Sequence, residues 1–499
     1  MTTTTWTNTA GGDFNLASNW TAGVPGSGDT ALITANGTYT VTSSLANTIA
    51  TLEMAKKATL EIDGSSFRLT SGTGTGALAG SITVAPNAEA DAGVLQLGAT
   101  STSTTFKNSG TIELDTNADL VIAGMATLID NGKLALVGAD TVIASAFNAT
   151  LTNGSSSSRH TISGTGTIGD GSLTVVNAAK GIIDANGDSE DTFASQNLDV
   201  DTASFTNSGL MEASGTGTLF LKSGIGQTAS GRIETLASRT ATPGAAIVLD
   251  NASIVNGTVS IAKGTSLFSE GGTEEINTSA RPIANAGTIA TSGFSTLILS
   301  SVKNTRTGEL MTNGDGGRLE IADAEIGGTA VIDSGCEMFF QGPASAKVTL
   351  VHGTFVSELI LDDGTKFTGT VAGLATPAGL ATPDTEIILE NIPFADGPMV
   401  KFDPMTHLLT VSATVQGSQI SYKIKIADSA SSFTASMAPD GSTIITDPLP
   451  VAAVPHANTS LLAQSMASFG ASSGVAASGN TTVADHHRSS DFLGAPHHG

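Results

Sequence analysis

A short phrase recurs along the chain and constrains its fold more than any other feature. An Asn is followed, at once or after one small residue, by a Gly and then by an alternating apolar run. Clear copies begin at Asn108, Asn131, Asn207, Asn256 and Asn285. Several neighbouring copies lie about 21–24 residues apart, within the range of solenoid repeats. Because Asn and Gly tolerate the left-handed backbone, we expect the phrase to form the corners of successive coils.

The stretches between these phrases have the pattern of short strands. Apolar and polar residues alternate, for example at 59–63, 81–84, 94–97, 119–122 and 318–321. A period of two residues indicates strands with one buried face, and no stretch sustains the 3.6-residue period of a helix. The sequence therefore predicts an all-β, parallel β-solenoid with about fourteen or fifteen coils. The strand phase places Ile112 inside a coil, so Ile112→Asp is expected to destabilise the protein.

Shifts in composition divide the chain into four parts. They are an N-terminal cap at residues 1–40, parallel β-helix coils at 41–369, a small β-rich C-terminal module at 370–448 and a flexible tail at 449–499. The first part contains both tryptophans, Trp6 and Trp20, which we interpret as the core of the cap rather than a ligand platform. Terminal repeats of a solenoid are atypical because an uncapped end exposes core side chains and strand edges.

The charge balance argues against several classes of partner. Formal net charge is −24, from 21 basic and 45 acidic residues, and such a surface repels nucleic acid and anionic membranes. No apolar run approaches the roughly 20 residues needed to span a bilayer. We therefore expect no nucleic-acid partner and no membrane span. The single cysteine, Cys336, is expected to be a buried small side chain rather than a redox centre.

The order of the segments resembles a known family. The N-terminal residues from Trp6 through Phe14 to Trp20, with Gly23-Val-Pro, resemble the start of large extracellular β-strand-repeat proteins of alphaproteobacteria. The Asn-Ser-Gly-Thr-Ile repeats resemble autotransporter-passenger and adhesin-like coils, and residues 367–448 resemble the C-terminal module of those proteins. The resemblance implies a right-handed parallel β-helix that is exported to the cell surface or the medium. It implies no catalytic motif.

The two ends of the chain suggest a route of export. The N-terminus has neither a basic n-region nor an apolar h-region, so it does not resemble a Sec-type signal peptide. The tail at 449–499 is rich in Ala, Ser, Gly and His. We therefore expect a secreted or surface-exposed protein that carries a C-terminal signal of the type I-like, one-step kind. Export that survives deletion of residues 450–499 would contradict this expectation.

Two spacings between phrases are longer than the others, at 177–207 and 256–285. Extra residues in a coil usually project as loops, and binding sites are often found there. The first stretch places Asp184, Asn186 and Asp188 at alternate positions, like the first ligands of a calcium loop. The expected Gly is replaced by Ser189, however, and the twelfth position is Ser195 rather than Glu. An EF-hand is thus excluded, and an irregular calcium site is the only metal or cofactor site the sequence suggests.

Two carboxylates of the repeat are candidates for a catalytic pair. Glu212 and Glu234 lie one coil apart, and glycosidases need two positioned carboxylates, one with a raised pKa. Glu113 follows the same phrase, as Glu309 nearly does. We therefore interpret these residues as a repeat consensus at an outward position and assign no catalytic residue.

These observations favour a non-enzymatic function. We expect an adhesin-like or structural binding protein that contacts extracellular polysaccharide, matrix or a cell surface at many points along the rod. The alternatives are a polysaccharide-active β-helix enzyme, either lyase or glycosidase, and a self-assembling surface-layer protein. An enzyme would gather unlike charged residues in a groove on one face, whereas a surface-layer protein would self-associate.

Overall fold

A computed structural model describes residues 1–138, 140–187, 197–238, 244–279, 281–314, 316–377, 382–428 and 432–447. They belong to one compact unit, residues 1–449. Within these ranges the helices are three short 3-10 turns, Ala17–Asn19, Gly364–Lys366 and Phe394–Asp396. Nearly all other regular structure is β-strand, stacked in parallel as a β-solenoid of about 15 turns. The predicted all-β solenoid fold is confirmed.

Successive coils add their strands to three parallel ladders. Ladder 1 contains Gly12–Asp13, Tyr39–Ser43, Ala58–Asp63, Ser81–Ala85, Thr111–Leu114, Lys133–Leu136, His160–Gly164, Gly181–Ala185, Leu210–Ala213, Arg232–Thr235, Thr258–Ile261 and Ile283–Asn285. Ladder 2 contains Asn47–Ile49, Ser66–Leu69, Gly166–Ile168, Asn197–Val200, Thr218–Leu221, Ala246–Leu249, Ser266–Glu270, Thr288–Ser292, Glu309–Asn313, Thr329–Ile332, Lys347–Leu350 and Thr370–Ala372. Ladder 3 contains Thr3–Thr5, Thr30–Ile33, Thr51–Met54, Thr174–Asn177, Ser204–Asn207, Ile225–Gln227, Ser253–Val255, Thr273–Asn277, Glu337–Phe340, Ser357–Leu361 and Thr385–Leu389.

Some longer strands turn a corner and pair in two ladders. Val94–Lys107, Asp119–Ile129 and Val142–Asn153 pass from ladder 2 to ladder 3. Thr296–Asn304 and Arg318–Ile326 pass from ladder 3 to ladder 1. Parallel pairing in register stacks equivalent residues of successive coils, so one position in the coil becomes a row along the rod.

The core is a column of aliphatic layers between the ladders. Along each strand one residue points inward and the next outward, as the alternation predicts. Ile112 is fully buried, and its inward neighbours in the adjacent coils are Ile82 and Leu134. The predicted strand phase is therefore confirmed. Cys336 is also a buried core residue, and burial raises the pKa of its thiol.

The two ends of the rod are built differently. Trp6 and Trp20 are buried, and their ring centroids lie 5.1 Å apart in an edge-to-face arrangement, so both belong to the core as predicted. The other end is covered by antiparallel strands, Met399–Asp403, Leu408–Val415, Ser418–Ile426, Thr434–Met437 and Thr443–Thr446. Two of them pair with the last strands of ladders 2 and 3, which protects these edges from other chains. The predicted tail at 449–499 lies outside the described residues.

The Asn of the recurring phrase has two structural roles. At Asn131 and Asn256 the backbone is left-handed, with φ of 62° and 67°, as predicted for a corner. Asn108, Asn207 and Asn285 also lie at corners, but there the expected left-handed backbone is wrong, since φ is not positive and the side chain is fully buried. These buried side chains are hydrogen-bonded from coil to coil.

The buried amides form a column, here called the amide column, between ladders 3 and 1. Asn153 Nδ2 donates to Asn177 Oδ1 at 2.9 Å, and Asn177 Nδ2 donates to Asn207 Oδ1 at 2.9 Å. Asn207 Nδ2 continues the series to Gln227 Oε1 at 3.1 Å. The second hydrogen of each Asn amide is donated to a backbone carbonyl of Ile182, Leu210 or Arg232. Every buried polar group in this series is thus satisfied, which is the condition for its burial.

A histidine extends the amide column past the coil that contains Asn131. The Asn131 side chain is exposed, and His160 occupies the gap between Asn108 and Asn153. His160 Nδ1 donates to Asn153 Oδ1 at 2.8 Å, and Nε2 accepts from Asn108 Nδ2 at 3.0 Å. Burial lowers the pKa of His160 to about 4, so the ring is neutral and can both donate and accept.

In the copies that begin at Asn108 and Asn207, the Gly of the phrase is required by close contact between coils rather than by backbone conformation. A Cβ on Gly110 would lie 1.9 Å from the Gly80 carbonyl oxygen, and one on Gly209 would lie 2.3 Å from the Gly181 carbonyl oxygen. Neither Gly110 nor Gly209 has a positive φ. The phrase therefore combines a buried amide with a corner too narrow for any other side chain.

The structure describes only the second of the two long spacings in detail. In the first, residues 188–196 lie outside the described residues. In the second, the acidic residues predicted to form a loop lie on or beside two strands, Ser266–Glu270 and Thr273–Asn277, which are joined at Gly271-Gly272. The prediction of a projecting loop there is wrong. The phrase instead moves to the next corner, since Asn256 precedes a ladder 1 strand and Asn285 ends one. A second series of buried side chains begins at Asn285, which donates to Asn304 Oδ1 at 2.8 Å.

Candidate functional site

Ladder 1 carries three carboxylates in a row on its outward face, here called the first acidic row. Asp184 pairs with Glu212, and Glu212 pairs with Glu234 in the next coil. Neighbouring strands are about 4.8 Å apart, so like charges are stacked at close range. Arg232 contacts the end of the row, with Nη2 3.1 Å from Glu234 Oε1. The solenoid register therefore assembles this group from residues about 22–28 positions apart in sequence.

The central carboxylate of the first acidic row has an altered acidity. Partial burial, followed by repulsion from Asp184 and Glu234, raises the pKa of Glu212 to about 7, although Arg232 opposes the shift. Burial also raises the pKa of Asp184, whose Oδ1 accepts a hydrogen bond from Ser214 Oγ at 2.8 Å. A carboxyl group with a pKa near 7 can exchange protons near neutral pH.

A second acidic row lies on ladder 3 near the C-terminal end of the coils. It consists of Glu337, Glu358 and Glu386, which pair from strand to strand. Burial and repulsion from both neighbours raise the pKa of the central Glu358 to about 7. Arg318 hydrogen-bonds Glu337 and stacks on Phe339, with its guanidinium carbon 5.4 Å from the ring centroid. Both rows thus consist of three stacked carboxylates with an arginine nearby.

Not every Glu that follows the phrase belongs to such a row. Glu113 occupies the same outward position of ladder 1 as Glu212, but its neighbours in the adjacent coils are Thr83 and Ala135. Glu309 lies in ladder 2, between Thr288 and Thr329. A shared motif position therefore does not give a shared environment.

The candidate calcium ligands are only partly described. Asp184 belongs to the first acidic row, Asn186 follows at the end of the same strand, and Asp188 lies outside the described residues. Among the residues that the structure describes, no cluster of three or more His, Cys, Asp or Glu side chains could hold a metal ion. Of the candidate calcium ligands, Asp184 lies beside Glu212 in the adjacent coil.

Beside the first acidic row, a groove lies on the corner between ladders 3 and 1. This first groove, of about 230 Å³, is lined by Arg159, Lys180 and Arg232 and includes Ile182 and Leu210. The three basic residues are exposed, whereas the two apolar residues are partly buried. Cations thus surround an apolar patch on a strongly acidic protein.

A second groove, of about 360 Å³, lies on the same corner. Its lining includes Thr228, Asn256, Ser279 and Arg281. The first groove contains Ser230 and Arg232, so one corner segment, residues 228–232, contributes to both.

The sequence analysis missed these grooves because the basic residues align only once the register is known. A signal was present, however, in the basic residues next to corner glycines, since Lys180 precedes Gly181 and Arg232 follows Gly231.

No helix among the described residues is long and apolar enough to cross a membrane. Comparison of the chain with known protein families, with curated proteins and with solved structures finds no match.

Proposed function

We propose that this protein is an exported, adhesin-like β-solenoid that binds an extracellular polysaccharide through contacts repeated along the rod. The observation that carries the proposal is the pair of neighbouring grooves on one corner, which share residues 228–232. A polymer that lies along the rod meets similar surfaces in successive coils. Such repetition raises avidity without a single deep site.

The chemistry of the grooves supports a carbohydrate ligand. The side chains of Thr228, Ser230 and Ser279 offer hydroxyl groups, and Asn256 offers an amide. These groups both donate and accept hydrogen bonds, as sugar hydroxyls require. Ile182 and Leu210 offer an apolar patch for the C–H face of a sugar ring.

A glycan and matrix screen with the purified full-length chain tests this function. We expect binding to a subset of polysaccharides, with apparent affinity that rises with chain length because longer chains span more coils. Absence of binding to every polysaccharide and matrix preparation would contradict the proposal. A dilution series of the protein alone, followed by electron microscopy, distinguishes glycan binding from assembly into filaments or lattices.

One observation favours a second function, a polysaccharide-active enzyme. Glu212 has a pKa of about 7 and pairs with Glu234, and retaining glycosidases use two carboxyl groups about 5–5.5 Å apart. A reducing-end assay on each bound polysaccharide tests this alternative. Turnover that is abolished in both Glu212→Gln and Glu234→Gln, and unchanged in Glu113→Gln, would replace the adhesin proposal with an enzymatic one.

A further inference from the structure

The basic residues that line the two grooves come from several coils along one corner, between ladders 3 and 1. Lys180 and Gly181 in one coil, Gly209 in the next and Arg232 in a third line the first groove. A Cβ on Gly209 would overlap the Gly181 carbonyl oxygen, so these coils are in direct contact. The second groove continues through residues 228–229 to Arg281. Together the two grooves form a corner track that crosses several consecutive coils.

The charge of the corner track is opposite to that of the protein. Net charge is −24, yet Arg159, Lys180, Arg232 and Arg281 all line this one corner. Within the described ranges, the side chains of Arg159 and Lys180 form no ion pair, and both are exposed. Arg281 is held across the corner by a hydrogen bond from Nη1 to the Ala229 carbonyl oxygen, at 3.4 Å. Cations that are not neutralised by the protein are available to an anionic ligand.

We propose that the corner track binds an acidic polysaccharide whose carboxylates are recognised by Arg159, Lys180 and Arg281, while Arg232 remains paired with Glu234. The inference rests on the proposed polysaccharide-binding function and specifies the ligand class and the site. Guanidinium groups match carboxylates with paired, charge-assisted hydrogen bonds. Ile182 and Leu210 lie between these cations and pack against sugar rings.

The charges around the corner track also determine which polyanions fit. The first acidic row runs beside it, since Arg232 and Glu234 lie on the same strand and are in contact. A polymer with a charge on every sugar can keep its carboxylates on the basic side and its rings toward the apolar patch. Nucleic acid carries its charges on both strands of a broad duplex and would meet the acidic row and the negative surface beyond it.

The test is titration of the full-length chain with polygalacturonate oligosaccharides, followed by calorimetry. The comparison ligands are fully methyl-esterified polygalacturonate, a sulfated dextran and a double-stranded DNA oligomer. The groove variant is Arg159→Ala/Lys180→Ala, and the matched control is Lys401→Ala/Lys423→Ala. The control removes the same charge from exposed, cross-strand neighbours of Thr410 in the C-terminal strands.

We expect the groove variant to bind polygalacturonate about tenfold more weakly or worse, while the control changes little beyond the general charge effect. Salt should weaken binding, and methyl esterification should abolish it. Equal losses in both variants, equal binding of the ester, or equal binding of sulfated dextran or DNA would overturn the acidic-polysaccharide track. Binding of neutral polysaccharides alone would leave the proposed function standing without this site. Failure of every polysaccharide would overturn both.

Both variants change exposed side chains, so they are expected to fold. An unchanged melting curve for each checks this before the titration is interpreted.

Discussion

The amide column inside the rod and the first acidic row outside it are built by the same stacking, with opposite results. Asn177 and Asn207 stack in consecutive coils, and a few residues later in the same coils so do Asp184 and Glu212. An amide has both donors and an acceptor, so each Asn satisfies the next. A carboxylate only accepts, so its stacked neighbours repel it, and this repulsion adds to burial in raising the pKa of Glu212.

This difference shows that a residue repeated in successive coils of a solenoid affects the stability of the fold. Any residue that recurs with the period of the coil is placed beside its own copies, and its chemistry decides whether that contact stabilises. Stacked amides in the interior stabilise the protein, because each one hydrogen-bonds the next. Stacked carboxylates on the exterior destabilise the protein, and the destabilisation is tolerated because solvent screens their charges. Groups with perturbed pKa values are enriched at functional sites, so the outward faces of ladders 1 and 3, which carry the two acidic rows, are candidate sites.

A substitution in the amide column should have the largest effect on the free energy of unfolding. Asn177→Asp keeps the shape of the side chain but removes the amide that donates to Asn207 Oδ1 and to the Leu210 carbonyl oxygen. A buried, unpaired charge or two lost hydrogen bonds should lower the free energy of unfolding by about 3 kcal/mol or more. Urea denaturation measures the total loss, and hydrogen exchange in the coils around residue 177 shows whether it is local.

The matched control for this variant is Asn117→Asp. Asn117 is exposed and has a φ of 62°, a conformation that Asp also tolerates. A change of at most about 0.5 kcal/mol is expected there. Similar losses at Asn177 and Asn117 would mean that the amide column contributes nothing specific.

A second variant tests the narrow corner that accompanies the amide column. Gly209→Ala would place its Cβ 2.3 Å from the Gly181 carbonyl oxygen, so adjacent coils must separate. We expect a loss of about 1–3 kcal/mol in the free energy of unfolding. Gly226→Ala is the control, because its Cβ would lie an ordinary 3.6 Å from the Phe205 carbonyl oxygen. Denaturation curves that shift equally for both variants would contradict the close contact.

The first acidic row predicts that the stability of the protein depends on pH. The pKa of Glu212 rises from 4.5 to about 7 on folding, so the folded protein holds an extra proton between these values. Stability should therefore fall as pH rises from about 4.5 to about 7. Glu212→Gln removes this contribution, which solvent screening limits to about 1 kcal/mol.

Urea denaturation at pH 5 and pH 8 checks the pH dependence, since urea, unlike guanidinium salts, does not screen charges. The variant Glu212→Gln should lose less stability between the two pH values than the native chain. Glu113→Gln, at the same strand position beside Thr83 and Ala135, should behave like the native chain. If Glu212→Gln instead lost more stability than the native chain over this interval, Glu212 would stabilise the protein at the higher pH, which would contradict the assignment.

Much of the fold could be predicted from the sequence because it depends on local patterns. The period of the phrase and the alternation around Ile112 were enough for the parallel solenoid and for the burial of that side chain. The candidate site was not predictable in the same way. The neighbours of Glu212 and the place of His160 in the amide column depend on register, and one shifted corner near residue 256 changes which residues meet.

The most direct test of this account is a pair of double-mutant cycles at pH 8 in urea and low salt. One cycle combines Asn177→Ala with Asn207→Ala, and the other combines Glu212→Gln with Glu234→Gln. We predict coupling energies of opposite sign, favourable by about 1 kcal/mol for the asparagines and unfavourable by about 0.5 kcal/mol for the glutamates. Coupling of the same sign in both cycles would contradict the claim that one register produces an attractive interior and a repulsive exterior.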